Sequence, residues 1–113
     1  MAEWDESWCV FCCIAAGTEP ATIQYQDEEV LVFTNRIRAV PVMILVVPRL
    51  HLTQLQVWQS GLIAKVSQIA TQMGESYCPD GFRILSNFGE DALQTQDHAH
   101  LHVVGGTRLG HYW

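Results

Sequence analysis

The 113 residues predict an α+β fold, with a mostly antiparallel five-stranded sheet, one long helix on its face and a short N-terminal helix. Apolar residues fall in short strand-like runs before residue 50 and after residue 82, and a single stripe of helical period separates the two groups. No linker or repeat interrupts the chain, and its length suits a single domain over residues 1–113. With 49% hydrophobic and 16% charged residues it carries enough apolar side chain for a real core, far from the composition of disorder.

Each element has its own signal. Residues 11–16, ended by Gly17, suit a short helix with a glycine stop. Residues 22–26 alternate, and Val30, Leu31, Val32 and Phe33 follow the acidic turn of Asp27, Glu28 and Glu29, which predicts a hairpin. Residues 43–47 form a continuous apolar run stopped by Pro48, as expected of a strand buried on both faces. Leu62, Ile63, Val66, Ile69, Ala70, Met73 and Tyr77 keep the spacing of one buried helical stripe, with Ser60 placed to cap its start and Gly74 to break its end. Asp80 and Gly81 turn the chain into a strand over residues 82–86. A last strand is expected over residues 98–104, which alternate strictly before Gly105 and Gly106.

Charge narrows the function. Twelve acidic against six basic residues leave a net charge of −6, which argues against a nucleic-acid binder, because that grip depends on Lys and Arg neutralising phosphates. No apolar run reaches the roughly 18–20 residues that span a bilayer, and residues 1–6 carry neither a basic nor an apolar signal region, so no membrane partner and a cytoplasmic location are expected. Three of the four cysteines, Cys9, Cys12 and Cys13, lie too close together to staple distant segments; the fourth is Cys78.

The chemistry concentrates at His98, His100 and His102. On a strand the side-chain period is two, so the three rings would leave one face about 6.6–6.8 Å apart while Leu101 and Val103 turn into the interior. Imidazole is the side chain best suited to proton transfer, nucleophilic attack and metal ligation near neutral pH. Cys9 and Cys12 form a C-x-x-C, which taken alone is a redox pair, a metal half-site, or two ordinary buried thiols. No βαβ pattern supports the redox use. Two histidines, from His51 and the triplet, would complete the Cys₂His₂ set that structural zinc prefers.

The string His98-Ala99-His100-Leu101-His102-Val103-Val104 resembles the histidine-triad (HIT) motif, His-φ-His-φ-His-φ-φ with φ apolar. Upstream, Cys9-Val10-Phe11-Cys12-Cys13-Ile14 is similar to the C-I-F-C-K-I opening of bacterial members, and Val46-Val47-Pro48-Arg49-Leu50-His51 to their V-I-P-K-x-H. Asn87-Phe88-Gly89 followed by Gln94 and Thr95 resembles the N-x-G…G-Q-S stretch before the triad. The likeness runs from Cys9 to Gly106 and is strongest to the Hint-like branch, the histidine-triad nucleotide-binding proteins with a zinc site. It implies a HIT-like fold, a homodimer, and a purine nucleotide (AMP-like) substrate whose phosphoramidate or related AMP conjugate is cleaved through a nucleotidyl-histidine intermediate. By that resemblance His100 is the nucleophile and His102 contacts the phosphate and supports the leaving group. Asn87, Gln94 and Thr95 add hydrogen bonds to the phosphate. Val10, Phe11, Ile14 and Phe33 face the base and ribose, with Asn35 at the ribose hydroxyls. Cys9, Cys12, His51 and His98 match the ligands of a structural zinc.

The sequence also departs from that pattern. Val42 and Met43 stand where the family commonly has Gly-His, Asn35 stands for an aspartate, and Leu93 and Thr95 for the Gly and Ser of G-Q-S. Arg36 replaces an apolar residue near the expected base pocket. These changes keep two other readings open, a dinucleoside polyphosphate hydrolase and a zinc-stabilised nucleotide-binding or interaction protein with little turnover. Trp4 and Trp8 are expected to pack, and the aromatic tail of Tyr112 and Trp113 to dock at a subunit interface.

Overall fold

The computed structural model describes residues 8–111, so Trp4, Tyr112 and Trp113 lie outside the described residues. The chain runs α1 (Val10–Ala16), β1 (Ile23–Gln26), β2 (Val30–Thr34), β3 (Val42–Pro48), α2 (Gln54–Trp58), α3 (Leu62–Tyr77), β4 (Phe82–Leu85), a 3₁₀ turn (Glu90–Ala92) and β5 (Leu101–Gly105). The five strands form one antiparallel sheet in the order β1-β2-β3-β5-β4, so the last strand is inserted between β3 and β4. The α+β prediction holds.

Strand parity divides the core into two layers. Val30 and Val32 of β2, Ile44 and Val46 of β3, and Leu101 and Val103 of β5 share one cluster with Val57, Val66, Ile69 and Ala70 of the two later helices. Their alternates Leu31, Phe33, Leu45 and Val47 pack on the other face against Phe11 and Ile14 of α1. The continuous apolar run of residues 43–47 therefore reads as it does because β3 is covered on both sides. Each fully buried Val or Leu contributes about 1.5–3 kcal/mol relative to exposure, so the two layers together far outweigh any surface ion pair.

Local signals explain the ends of the elements. The β1–β2 turn closes on Asp27, whose Oδ1 accepts from the N–H groups of Glu29 and Val30 at 2.8 and 2.9 Å. Gly17 ends α1 in the left-handed region at φ 82°, and its N–H reaches carbonyls of the last turn. At the start of α3 the Ser60 Oγ accepts from the Leu62 N–H at 3.3 Å, with Gly61 between them.

Two expectations need correction. Helix α3 does not break at Gly74 but continues to Tyr77. A Cβ at Gly74 would run into the Phe82 ring of β4, so this glycine serves close helix–sheet approach. The ladder of the last strand begins at Leu101 instead of residue 98. Residues 98–100 keep the alternation without the sheet hydrogen bonds, because the Ala99 N–H is taken by the Leu52 carbonyl at 2.7 Å. Helix α2 adds a short element to the expected order, and its local signal is the T-x-x-Q spacing by which Thr53 and Gln56 form a complete capping box at its start.

Candidate active site and metal centre

The parity that sends Ala99, Leu101 and Val103 into the α3 layer sends the histidines to the α1 side of the sheet. There the Phe11 ring meets His98 and His100 edge-on, with centroids 5.7 and 5.3 Å apart, and His100 meets His102 at 5.0 Å. His98 and His100 are buried, at 0% and 4% exposure, and rings that dry must have their polar atoms satisfied.

His98 turns away from its neighbours in the triad. Its Nε2 lies 2.7 Å from the Pro48 carbonyl, which makes Nε2 the protonated nitrogen and leaves a lone pair on Nδ1. That lone pair faces both thiols, since Cys9 Sγ and Cys12 Sγ each lie 3.5 Å from His98 Nδ1. Cys12 Sγ also lies 3.3 Å from His51 Nδ1. All four donor atoms lie within 4.8 Å of one another. One nitrogen lone pair accepts from one thiol, so hydrogen bonding accounts for only part of this convergence. A tetrahedral zinc with Zn–S about 2.3 Å and Zn–N about 2.0–2.1 Å has S···N edges near 3.6 Å, close to the distances found. The donor set fits the metal, and the carbonyl behind His98 is the kind of partner that orients a ligating imidazole.

The fold brings these donors from distant stretches of chain. Cys9 and Cys12 flank the first turn of α1, with the Cys12 N–H directed at Cys9 Sγ at 3.5 Å. His51 follows β3, and the Trp8 ring stands edge-on to it at 5.0 Å. Arg49, two residues before His51, gives its guanidinium to the carbonyls of Asp27 and Ala15 and to the side chain of Gln26, so the corner is tied to the end of α1 and the β1–β2 turn.

His100 has the opposite tautomeric arrangement. Its Nδ1 lies 2.8 Å from the His98 carbonyl, so Nδ1 donates and the lone pair stays on Nε2. Burial pulls its pKa below the ordinary histidine value against the opposing effect of that hydrogen bond. His102 is pushed down to about 4, first by burial and then by the repulsion its protonated ring would meet from a protonated His100. Both rings are therefore neutral near pH 7. The Nε2 of His102 is buried and has no hydrogen-bond partner among the described residues. Leaving such an atom unpaired costs about 1–3 kcal/mol, which an arriving acceptor or donor would recover.

A cavity of about 1050 Å³ opens beside these two rings. Val10, Phe11, Ile14, Phe33, Asn35, Thr95, His100 and His102 all line it. Asn87 and Gln94 do not. The Asn87 carbonyl accepts from Gln54, and Gln94 spends its amide within its own loop, accepting from the Gly89 N–H at 2.8 Å and donating to the Gln96 carbonyl at 2.9 Å. Leu93 takes the left-handed region at φ 61° and stands 80% exposed, lining a separate recess with Gln94.

Some contributors are absent from the sequence reading. Gln54, the first residue of α2, is buried, and its amide holds both backbone groups of His100, Nε2 to the carbonyl at 3.2 Å and Oε1 from the N–H at 3.4 Å. Ser86 Oγ donates to the same carbonyl at 2.8 Å. Gln96, Arg38 and Met43 add to the cavity wall. A buried glutamine has no sequence signature of its own, because only the tertiary approach of α2 to residue 100 gives it a partner.

Comparison with known proteins agrees with this geometry. A family model described as the HIT domain matches residues 16–109. The chain is 34% identical over 104 residues to Protein HitA of Neisseria gonorrhoeae, covering 86% of this chain and 94% of that one. A HIT family hydrolase from Clostridium thermocellum superposes with a TM-score of 0.85 at 30% identity, covering 94% of this chain and 96% of the other. A zinc-bound histidine triad family protein from Mycobacterium smegmatis superposes with a TM-score of 0.79 at 30% identity, covering 88% of this chain and 76% of that one.

Proposed function

The chain belongs to the HIT family, and from that premise we propose that it cleaves a purine nucleoside phosphoramidate, or a related AMP conjugate, through a nucleotidyl intermediate on His100. The observation that carries this reading is the tautomer of His100, whose bond to the His98 carbonyl leaves a neutral Nε2 lone pair beside a large cavity. The hydrolase named in the Clostridium thermocellum structure supports the reaction class.

In the first step His100 Nε2 forms a bond to the α-phosphorus as the bond from phosphorus to the leaving nitrogen breaks. His102, neutral in the free protein, gains a proton together with the anionic phosphate, whose charge raises its proton affinity, and passes that proton to the leaving nitrogen. Water then forms a P–O bond as the P–His100 bond breaks, AMP departs, and the proton of the water returns to His102. Thr95 on the cavity wall supplies a neutral hydrogen bond to the phosphate. Val10, Phe11, Ile14 and Phe33 hold the base and ribose, and Asn35 the ribose hydroxyls.

Cys9, Cys12, His51 and His98 hold a zinc in this reading. Held by four protein donors, the metal would be structural and would supply rigidity to the corner that carries His98. The cysteines form no disulfide among the described residues, which is compatible with a reducing compartment such as the cytoplasm. The resemblance to the family implies a homodimer, and among the described residues β1 and β4 are the two edge strands on which a second copy could pair.

The test offers an AMP phosphoramidate and a diadenosine polyphosphate to the wild type and to His100→Ala. Wild type releases AMP from the phosphoramidate, and the variant is slower by at least about 10³-fold. Equal rates in the two proteins remove His100 as nucleophile. Release from the polyphosphate alone assigns the other hydrolase activity, and binding of AMP without turnover of either compound makes the chain a binding module.

A further inference from the structure

The chain has six Lys and Arg residues against twelve Asp and Glu, yet Arg36 and Arg38 line the histidine cavity and no described Asp or Glu does. Arg36 is already paired with Glu19, with Nη2 2.7 Å from Oε2. Arg38 has no ion pair or hydrogen bond among the described residues, so its charge is the one left available to a ligand. The segment that carries it is anchored at three points between β2 and β3. The Asn35 N–H donates to the Met43 carbonyl at 2.8 Å, the Ile37 N–H to Asn35 Oδ1 at 3.2 Å, and the Ala39 N–H approaches the Met43 thioether at 2.9 Å. Met43 thus braces the connection that presents the arginine.

We propose that this cavity selects a nucleotide carrying a second phosphate besides the reacting one, and that Arg38 is the residue that meets it. The inference rests on the reading of the cavity as a nucleotide site, in which His100 and His102 already serve the α-phosphate and Asn35 the ribose. An uncharged Asn35 leaves no carboxylate to repel a phosphorylated sugar. In dinucleotide-binding folds a carboxylate at the ribose selects the free hydroxyl, whereas a nearby arginine accommodates the sugar phosphate. The guanidinium also suits phosphate geometrically, with two parallel N–H groups for two oxygens. The same chemistry serves a phosphate on the ribose or one further along a phosphate chain.

Calorimetric titration of the full-length protein at about 50 mM salt with AMP, adenosine 2′,5′-bisphosphate, adenosine 3′,5′-bisphosphate and ADP separates these sources. One of the bisphosphates is expected to bind about tenfold more tightly than AMP, and the advantage should shrink as salt is raised. Arg38→Ala brings its affinity down to that of AMP, while Arg108→Ala, outside the cavity, keeps the preference. A gain confined to ADP supports the same arginine and places the second phosphate on the chain. Equal affinity for all four, or a gain that survives Arg38→Ala, overturns this inference and leaves the nucleotide reading standing. Failure of all four to bind overturns both.

Discussion

Gln54 and His100 show how one buried amide outside the cavity can set the position of the residue we propose as nucleophile. The glutamine reaches both backbone groups of residue 100, and a displacement of about 1 Å at a reacting group costs on the order of 10²-fold in rate. Gln54→Leu should lower kcat for AMP release by about 10–100-fold while AMP affinity and metal content stay near wild type, as measured by steady-state kinetics, calorimetry and elemental analysis. Gln54→Glu keeps the acceptor for the His100 N–H but turns a buried carboxylate oxygen toward the Asn87 and His100 carbonyls that the amide donates to, so it should not recover the loss. A fall in nucleotide affinity as large as the fall in kcat would instead make Gln54 a packing residue. The sequence makes His98, His100 and His102 conspicuous, but their division of labour lies in their second nitrogens. His98 Nε2 meets the Pro48 carbonyl and turns Nδ1 to the thiols, whereas His100 Nδ1 meets the His98 carbonyl and leaves the lone pair on Nε2.

The β1–β2 hairpin is anchored at one carboxylate. Asp27 accepts from the Tyr25 hydroxyl at 2.7 Å and from two backbone N–H groups, and Lys65 of α3 stands 3.1 Å away. The Tyr25 bond, followed by the backbone bonds and the lysine, holds this carboxyl well below the usual range against the opposing effect of burial. A carboxyl with a depressed folded pKa stabilises the fold above its unfolded pKa near 3.9, and that contribution is lost as pH falls through this range toward the folded value. Solvent screening limits the charge effect to about 1 kcal/mol, so Asp27→Asn should melt about 5 °C below wild type at pH 7. The gap should close as pH is lowered below about 4, followed by thermal melts of the two proteins at each pH. A gap that stays constant with pH would assign the effect to hydrogen-bond geometry alone. The acidic turn was legible in the sequence because an aspartate that closes on its own backbone is a local device. The capping box of α2 is local too, whereas the placement of Gln54 and the late start of β5 depend on partners elsewhere, Asn87 and His100 for Gln54 and Leu52 for Ala99.

At the scale of the whole molecule, the cysteine and histidine cluster joins α1, the end of β3 and the approach to β5. Elemental analysis is expected to find about one zinc per chain, and chelation should lower Tm in the wild type, because binding energy at such a site is folding energy. Cys9→Ser should lose most of the metal and show little further response to chelator. A wild type with no bound metal, or a Tm indifferent to chelation, would remove the structural role. Among the described residues no helix is long and apolar enough to cross a membrane. The sequence by itself determined the layers, because alternation and helical period state which side chains must leave water, and it named the imidazoles and thiols because few other patterns place so many ligating groups so close together. The resemblance already implied that Cys9 and Cys12 meet His51 and His98, and the tertiary structure brings them together; only the tertiary structure decided that Gln54 grips residue 100 and that Arg38 shares a cavity with His100 and His102. Those relations join residues as many as 89 positions apart, and such distances are set by how the layers pack, which no local pattern of residues encodes.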